Sequence, residues 1–243
     1  MLTDKPWRGD AVILFIGLQL GAVCLGGLLI GLLDKLGVVA FKLPDGLGAI
    51  VLGTLCFQGV TWGLIAFFLW QHELNWREAF GLRDAGLGRA LGLAVILILV
   101  LLPVLWGLQA ASDKLLTWWL HHPPEEQTAV ELLENSKSVW FRVYLGGFAV
   151  LLAPVAEEFI FRGMLFPFFK QLGLPWVAWF GVSGLFALIH TNAVTFVPLF
   201  VLALALTWLY QKTGNLLASI TAHACFNAVN LALLLLLPNL SAT

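Results

Sequence analysis

The sequence predicts an all-α fold: a polytopic transmembrane helical bundle of about seven spans plus an interfacial helix. Three observations predict it. Only 11% of the 243 residues are charged and 60% are hydrophobic, whereas a typical soluble domain carries about 25% charged residues. Apolar runs near twenty residues recur along the chain, long enough for the ~30 Å hydrocarbon core of a bilayer. The later runs are joined by tight turns such as Gly173-Leu174-Pro175 and Thr213-Gly214-Asn215, which leaves no room for a soluble domain between them. Net charge is −1 and no basic block occurs, so a nucleic-acid partner is not expected; the partners are the lipid bilayer and whatever lies in it. Cys24, Cys56 and Cys225 are scattered through apolar runs, and this odd, dispersed set fits neither a disulfide framework nor a metal-ligand pattern.

The elements follow in order. Ala11–Leu33 is the first span, too long for a signal core and followed by further spans, so an uncleaved anchor is expected. Leu47–Trp70 is the second. Segment 73–89 mixes Trp76, Phe80 and Leu82 with Arg77, Arg83 and Arg89, a composition suited to a helix lying at the membrane interface. Ala90–Gln109 is the third span, with Pro103 inside it. Residues 110–137 form a polar connection holding Trp118, Trp119, Pro123-Pro124, Glu125 and Glu126. Val143–Phe169, bent near Pro154, is the fourth span; Leu174–Ala193, Thr195–Gln211 and Leu216–Leu237 are the remaining three. We divide the chain into residues 1–138, with the N-terminal spans, and 139–243, with the chemistry. Lys5, Arg8, Arg77, Arg83, Arg89, Lys170 and Lys212 fall on one side, against Lys35, Lys42, Lys114 and Lys137 on the other. This bias predicts an integral protein of the plasma (inner) membrane with a cytoplasmic N-terminus.

Polar residues inside the spans carry the functional information, because an ionisable group near a helix centre costs about 2.5–3.5 kcal/mol on insertion scales. After Glu134 the only acids are Glu157 and Glu158, and after His122 the only histidines are His190 and His223. Glu158 and Arg162 are four apart, acid first, the favourable order for an ion pair on one helix. Phe186 and His190 share a helix face, and so do His223 and Asn227. Any one such residue is more often interhelical glue than a catalyst. If the three faces converge, they supply a base, its partner and oxyanion donors.

Glu157-Glu158-x-x-x-Arg162, Phe186-x-x-x-His190 and His223-x-x-x-Asn227, in this order on separate spans, resemble the motif set of the CAAX-protease and bacteriocin-processing (CPBP, or Abi) family of intramembrane endopeptidases. The resemblance covers roughly residues 140–235. It implies a glutamate-type endopeptidase, formerly described as a metalloenzyme, with its site opening toward the cytoplasm and a membrane-associated protein or peptide as substrate. By this resemblance Glu157 and His190 activate a water, His223 and Asn227 bind the oxyanion, and Glu158, Arg162 and Phe186 support them. No metal is obligatory in this scheme, with zinc on the same residues as the alternative mechanism. Eukaryotic members cut prenylated proteins, but no motif here marks a prenyl site.

Other readings are weaker. Gly181-Val182-Ser183-Gly184 matches a rhomboid pattern, yet a rhomboid places its His-x-x-x-Asn before the serine, and Glu157 would go unexplained. No His-Glu-x-x-His occurs, and no Asp follows Asp113, which excludes zincin and aspartyl chemistries. A transporter would distribute its polar groups over two halves. The alternative from another class is a non-catalytic membrane immunity or scaffold protein of the same family.

Overall fold

The computed structural model describes residues 7–38, 47–82, 86–124, 127–136 and 138–236. Lys5, Lys42, Arg83, Glu125, Glu126 and Lys137, which bear on the expected orientation and polar connection, lie outside the described residues. The regular structure of the described residues is all helical, with no strand among them. In chain order the helices are α1 Gly9–Lys35, α2 Gly48–Gln71, α3 Trp76–Phe80, α4 Leu87–Leu120, α5 Thr128–Asn135, α6 Val139–Gln171, α7 Val177–Leu188, α8 Ala193–Thr213 and α9 Leu216–Leu236. Six of them, α1, α2, α4, α6, α8 and α9, are long and apolar enough to cross a membrane. Leu25, Leu28, Val100 and Trp140 stand exposed on these helices, as expected where lipid rather than water is the surrounding solvent. The chain is an integral membrane protein.

Three expectations change in detail. The fifth expected span contracts to α7, 12 residues and about 18 Å long, too short for the ~30 Å core. It follows Gly173 (φ 73°) and Pro175, and it stops because Thr191 takes a left-handed φ of 52° while Asn192 caps α8, its Oδ1 accepting the Thr195 N–H at 3.1 Å. The expected polar connection is helical over its first residues, since α4 runs unbroken to Leu120. The expected interfacial helix is only the five residues of α3. Its Phe80 is fully buried rather than lying in a lipid interface.

The described residues pack as two compact units. One comprises Pro6–Asn75 and Thr128–Phe148, with α1 lying along α2. The Gln19 amide donates to the Phe57 carbonyl at 3.1 Å, and the Thr61 hydroxyl reaches that carbonyl at 2.6 Å and Gln19 Oε1 at 3.2 Å. Phe57 sits in a π-helical turn, Leu55–Gly59, where carbonyls are free to accept from outside the helix. Close approach is possible because Gly26 faces Cys56: a Cβ there would come within 2.7 Å of Cys56 Sγ.

The other unit takes in Trp76–Gln127 and the chain from Ala149 onward. Here α8 packs on α4, α7 and α9, and half of its most apolar stretch is buried. Residues 153–158 of α6 pack on α9, and residues 159–165 pack on α7 and α9. Arg162, Phe80, Phe166, Phe186 and Tyr210 are among the largest fully buried side chains of the chain. A cation at the centre of an apolar core requires an explanation, and the site supplies it.

Candidate active site

The site is built from the middle of α6 outward. Two π turns, Phe148–Leu152 and Phe159–Leu165, bracket the six residues Ala153–Glu158. Each π turn inserts a residue and rotates the helix beyond it by about 100° relative to the helix before it. Glu158 and Arg162 nonetheless meet as an i,i+4 pair, with Arg162 Nη1 donating to Glu158 Oε1 at 2.8 Å and both side chains almost fully buried. Arg162 Nη2 donates to the Ala203 carbonyl of α8 at 2.9 Å. The guanidinium also lies 4.6 Å from the centroid of the Phe186 ring, a cation–π distance. A carboxylate, a carbonyl and an aromatic face thus explain why the buried cation is tolerated.

The two histidines are oriented by their Nδ1 atoms. His223, on α9, has Nδ1 3.1 Å from Glu158 Oε1; because a carboxylate oxygen accepts, Nδ1 carries the proton. His190 has Nδ1 2.8 Å from the Phe186 carbonyl, which fixes the same tautomer. It lies in the turn just beyond α7, not within a span as expected. Phe186 meets both rings, at 4.9 Å from His190 and 5.5 Å from His223 between centroids.

Both Nε2 atoms consequently face one carboxylate oxygen. Glu157 Oε2 lies 4.0 Å from His190 Nε2 and 3.9 Å from His223 Nε2, beyond hydrogen-bond length. That oxygen is buried and makes no hydrogen bond among the described residues. Accessibility rises from the Glu158–Arg162 pair toward His190, whose side chain is 26% exposed against 13% for Glu157 and 3% for His223.

Asn227 lies one helical turn beyond His223. Its amide donates to the Ala149 carbonyl of α6 at 2.7 Å, so one of its two N–H groups is committed to backbone. Glu157, Glu158, Arg162, Phe186, His190 and His223 are therefore joined by direct contacts, and Asn227 meets the motif helix two turns before Glu157. Ser183, of the rhomboid-like pattern, is fully buried. Its Oγ makes no hydrogen bond among the described residues, and Nδ1 of His223 is taken up by Glu158.

As a metal donor set, Glu157, His190 and His223 have suitable chemistry. Ligand atoms about 2.0–2.1 Å from a tetrahedral zinc stand roughly 3.4 Å apart, so the side chains would draw together by about half an ångström. Among the described residues no group of three or more His, Cys, Asp or Glu already stands at metal-holding positions.

Sequence reasoning missed the backbone acceptors Ala203 and Ala149, since any residue supplies a carbonyl. It also missed the support behind the motif helix. The Phe80 ring packs edge-on to Phe159 at 4.6 Å and fills a notch at Gly163, where a Cβ would lie 2.9 Å from Phe80 Cε1. The glycine directly after Arg162 was the one signal that could have found it.

Comparison with known proteins falls on the same stretch. Residues 138–229, which contain all three motifs, match the family model described as Rce1-like, Type II CAAX prenyl endopeptidase Rce1-like. The resemblance drawn from the three motifs is borne out. The UPF0177 protein YxdF of Lactococcus lactis subsp. lactis (strain IL1403) is 32% identical over 78 residues, 32% of this chain and 42% of that protein. The chain thus spans less than half the length of that relative. No solved structure matches the chain significantly.

Proposed function

We propose that this chain is an intramembrane endopeptidase in which Glu157 activates a water for attack on a peptide bond of a membrane-associated protein or peptide. The observation that carries this reading is the convergence of Glu157 Oε2 with the Nε2 atoms of His190 and His223. With each Nδ1 already donating, all three converging atoms are acceptors when the rings are neutral. Such a place takes a species that brings hydrogens or positive charge. Two hydrogen bonds of about 2.8 Å meeting near a right angle span about 4 Å, so one water fits between Glu157 and either ring.

In the reaction Glu157 takes a proton from this water, with His190 holding it, while the oxygen bonds to the carbonyl carbon. Negative charge moves to the carbonyl oxygen, to which His223 donates from Nε2 when the ring carries a second proton as the imidazolium, its Nδ1–H still on Glu158. Collapse breaks the carbon–nitrogen bond, and Glu157 returns the proton to the leaving amine. Glu158, Arg162 and Phe186 hold the two rings and the helix turn. No resident metal is required; zinc on Glu157, His190 and His223 is the second reading, favoured by the donor chemistry itself.

Elemental analysis of detergent-purified protein, with activity measured after chelator dialysis, decides between the two. The water scheme expects no stoichiometric metal and full activity after chelation. The zinc scheme expects about one metal per chain, lowered in His190→Ala and His223→Ala. Substrates are found by comparing membrane-protein termini in cells carrying wild type and Glu157→Gln. A biological effect retained by Glu157→Gln with no product would favour the immunity or scaffold reading. We place the protein in the plasma (inner) membrane with its N-terminus cytoplasmic, which protease accessibility of an N-terminal tag tests.

A further inference from the structure

The Asn227–Ala149 hydrogen bond has a specific cause in the backbone of α6. In the π turn Phe148–Leu152, hydrogen bonds run from N–H to the carbonyl five residues earlier. The donor due to the Ala149 carbonyl in this register is residue 154, and residue 154 is a proline with no N–H. The register and the proline together orphan this carbonyl, in a helix where lipid offers no replacement donor. Asn227 reaches across from α9 and supplies one at 2.7 Å.

We propose that Asn227 is a positioning residue that stabilises the π turn ahead of Glu157; this rests on the assignment of Glu157 as the base. The bond ties the backbone two turns ahead of Glu157 to the helix that carries His223, so it bears on where Glu157 meets the imidazoles. His223 and Asn227 are one turn apart on α9, so a single helix face fixes α6 at two places. His223 meets Glu157 and Glu158, and Asn227 holds the carbonyl that the bulge leaves open. One N–H of the amide thereby acts through the backbone.

A double-mutant cycle with Pro154→Ala tests the idea, because alanine restores an N–H that can itself bond the Ala149 carbonyl. Thermal unfolding in detergent is measured for wild type, Asn227→Ala, Pro154→Ala and the double variant. Asn227→Ala should lower Tm by at least ~3 °C, as expected for orphaning a part-buried backbone acceptor in a chain of this size, and this fall should largely vanish in the Pro154→Ala background. In folded Asn227→Ala, well below its Tm, the rate at which a hydrophobic carbodiimide labels Glu157, followed by mass spectrometry, should change several-fold. A loss of general stability alone would not move that rate. An unchanged Tm, an equal fall in both backgrounds, or an unchanged labelling rate overturns the proposal. If Asn227→Ala does not accumulate, accumulation of the double variant supports the clamp and its failure to accumulate overturns it. Neither readout needs peptide cleavage, so the result stands apart from success or failure of the endopeptidase reading.

Discussion

α2 and α6 each break register beside polar side chains, and the two places are used differently. In α2 the π turn Leu55–Gly59 presents the Phe57 carbonyl, which receives the Gln19 amide and the Thr61 hydroxyl. In α6 the turn Phe148–Leu152 presents the Ala149 carbonyl to Asn227, and two turns beyond that carbonyl the same helix brings Glu157 to two imidazoles, its Oε2 accepting no hydrogen bond among the described residues. In the first case donors and acceptors are matched, and the result is helix–helix adhesion. In the second, acceptors are in excess at one point. Polarity inside a membrane helix therefore does not by itself mark a reactive place. The signature is an imbalance of lone pairs and hydrogens that neighbouring side chains hold in position.

Substitutions can break this contrast, and the largest effect is expected at Arg162. Arg162→Ala leaves Glu158 buried with no cation, at a cost of about 3–5 kcal/mol, which thermal unfolding in detergent should show together with loss of activity. An Arg162→Ala protein as stable as wild type would mean that the guanidinium acts directly on substrate. Next comes Glu157→Gln, which keeps shape and removes basicity. Product formation should fall by at least ~10²-fold, about 2.7 kcal/mol of barrier, with protein level unchanged. Cleavage near the wild-type rate would remove Glu157 from its role.

Gly163→Ala should cost about 1–3 kcal/mol through overpacking against Phe80, and Phe80→Leu should relieve most of it. If the two changes simply add, the notch is not what Gly163 provides. The smallest effect belongs to the matched region. Thr61→Val should lower stability by only about 0.6 kcal/mol and leave turnover untouched. A large loss of activity there would erase the distinction between adhesion and chemistry.

Much of this was legible in the sequence, for physical reasons that also set the limit. Six long helices followed from run length, and the Glu158–Arg162 and Phe186–His190 pairings followed from 3.6-residue geometry. Register breaks were not legible, because an inserted residue leaves no compositional trace; Pro154 suggested a bend but not a π turn. α7 was overestimated because apolar stretches stand on both sides of His190-Thr191-Asn192, where the backbone turns, although Asn192 ahead of an apolar stretch is a recognisable helix cap. α4 was underestimated because Asp113 and Lys114 read as loop, whereas a helix about 51 Å long can leave the bilayer and stay helical. The convergence of Oε2 and the two Nε2 atoms depends on three helices meeting, which spacing along one chain does not encode.

The close contact at Gly81 bears on how the protein can be dissected. Gly81 has φ 67°, and a Cβ there would overlap the Gly214 carbonyl oxygen, so no other residue can take its place without moving the backbone. With Phe80 in the Gly163 notch and α4 lying against α8 and α9, residues before position 138 form part of the wall around the matched segment. The boundary of the family match is thus not a folding boundary. A fragment begun at residue 138 would carry every reactive side chain and still open to lipid along the back of α6, while one that retains the chain from Trp76 keeps that wall closed.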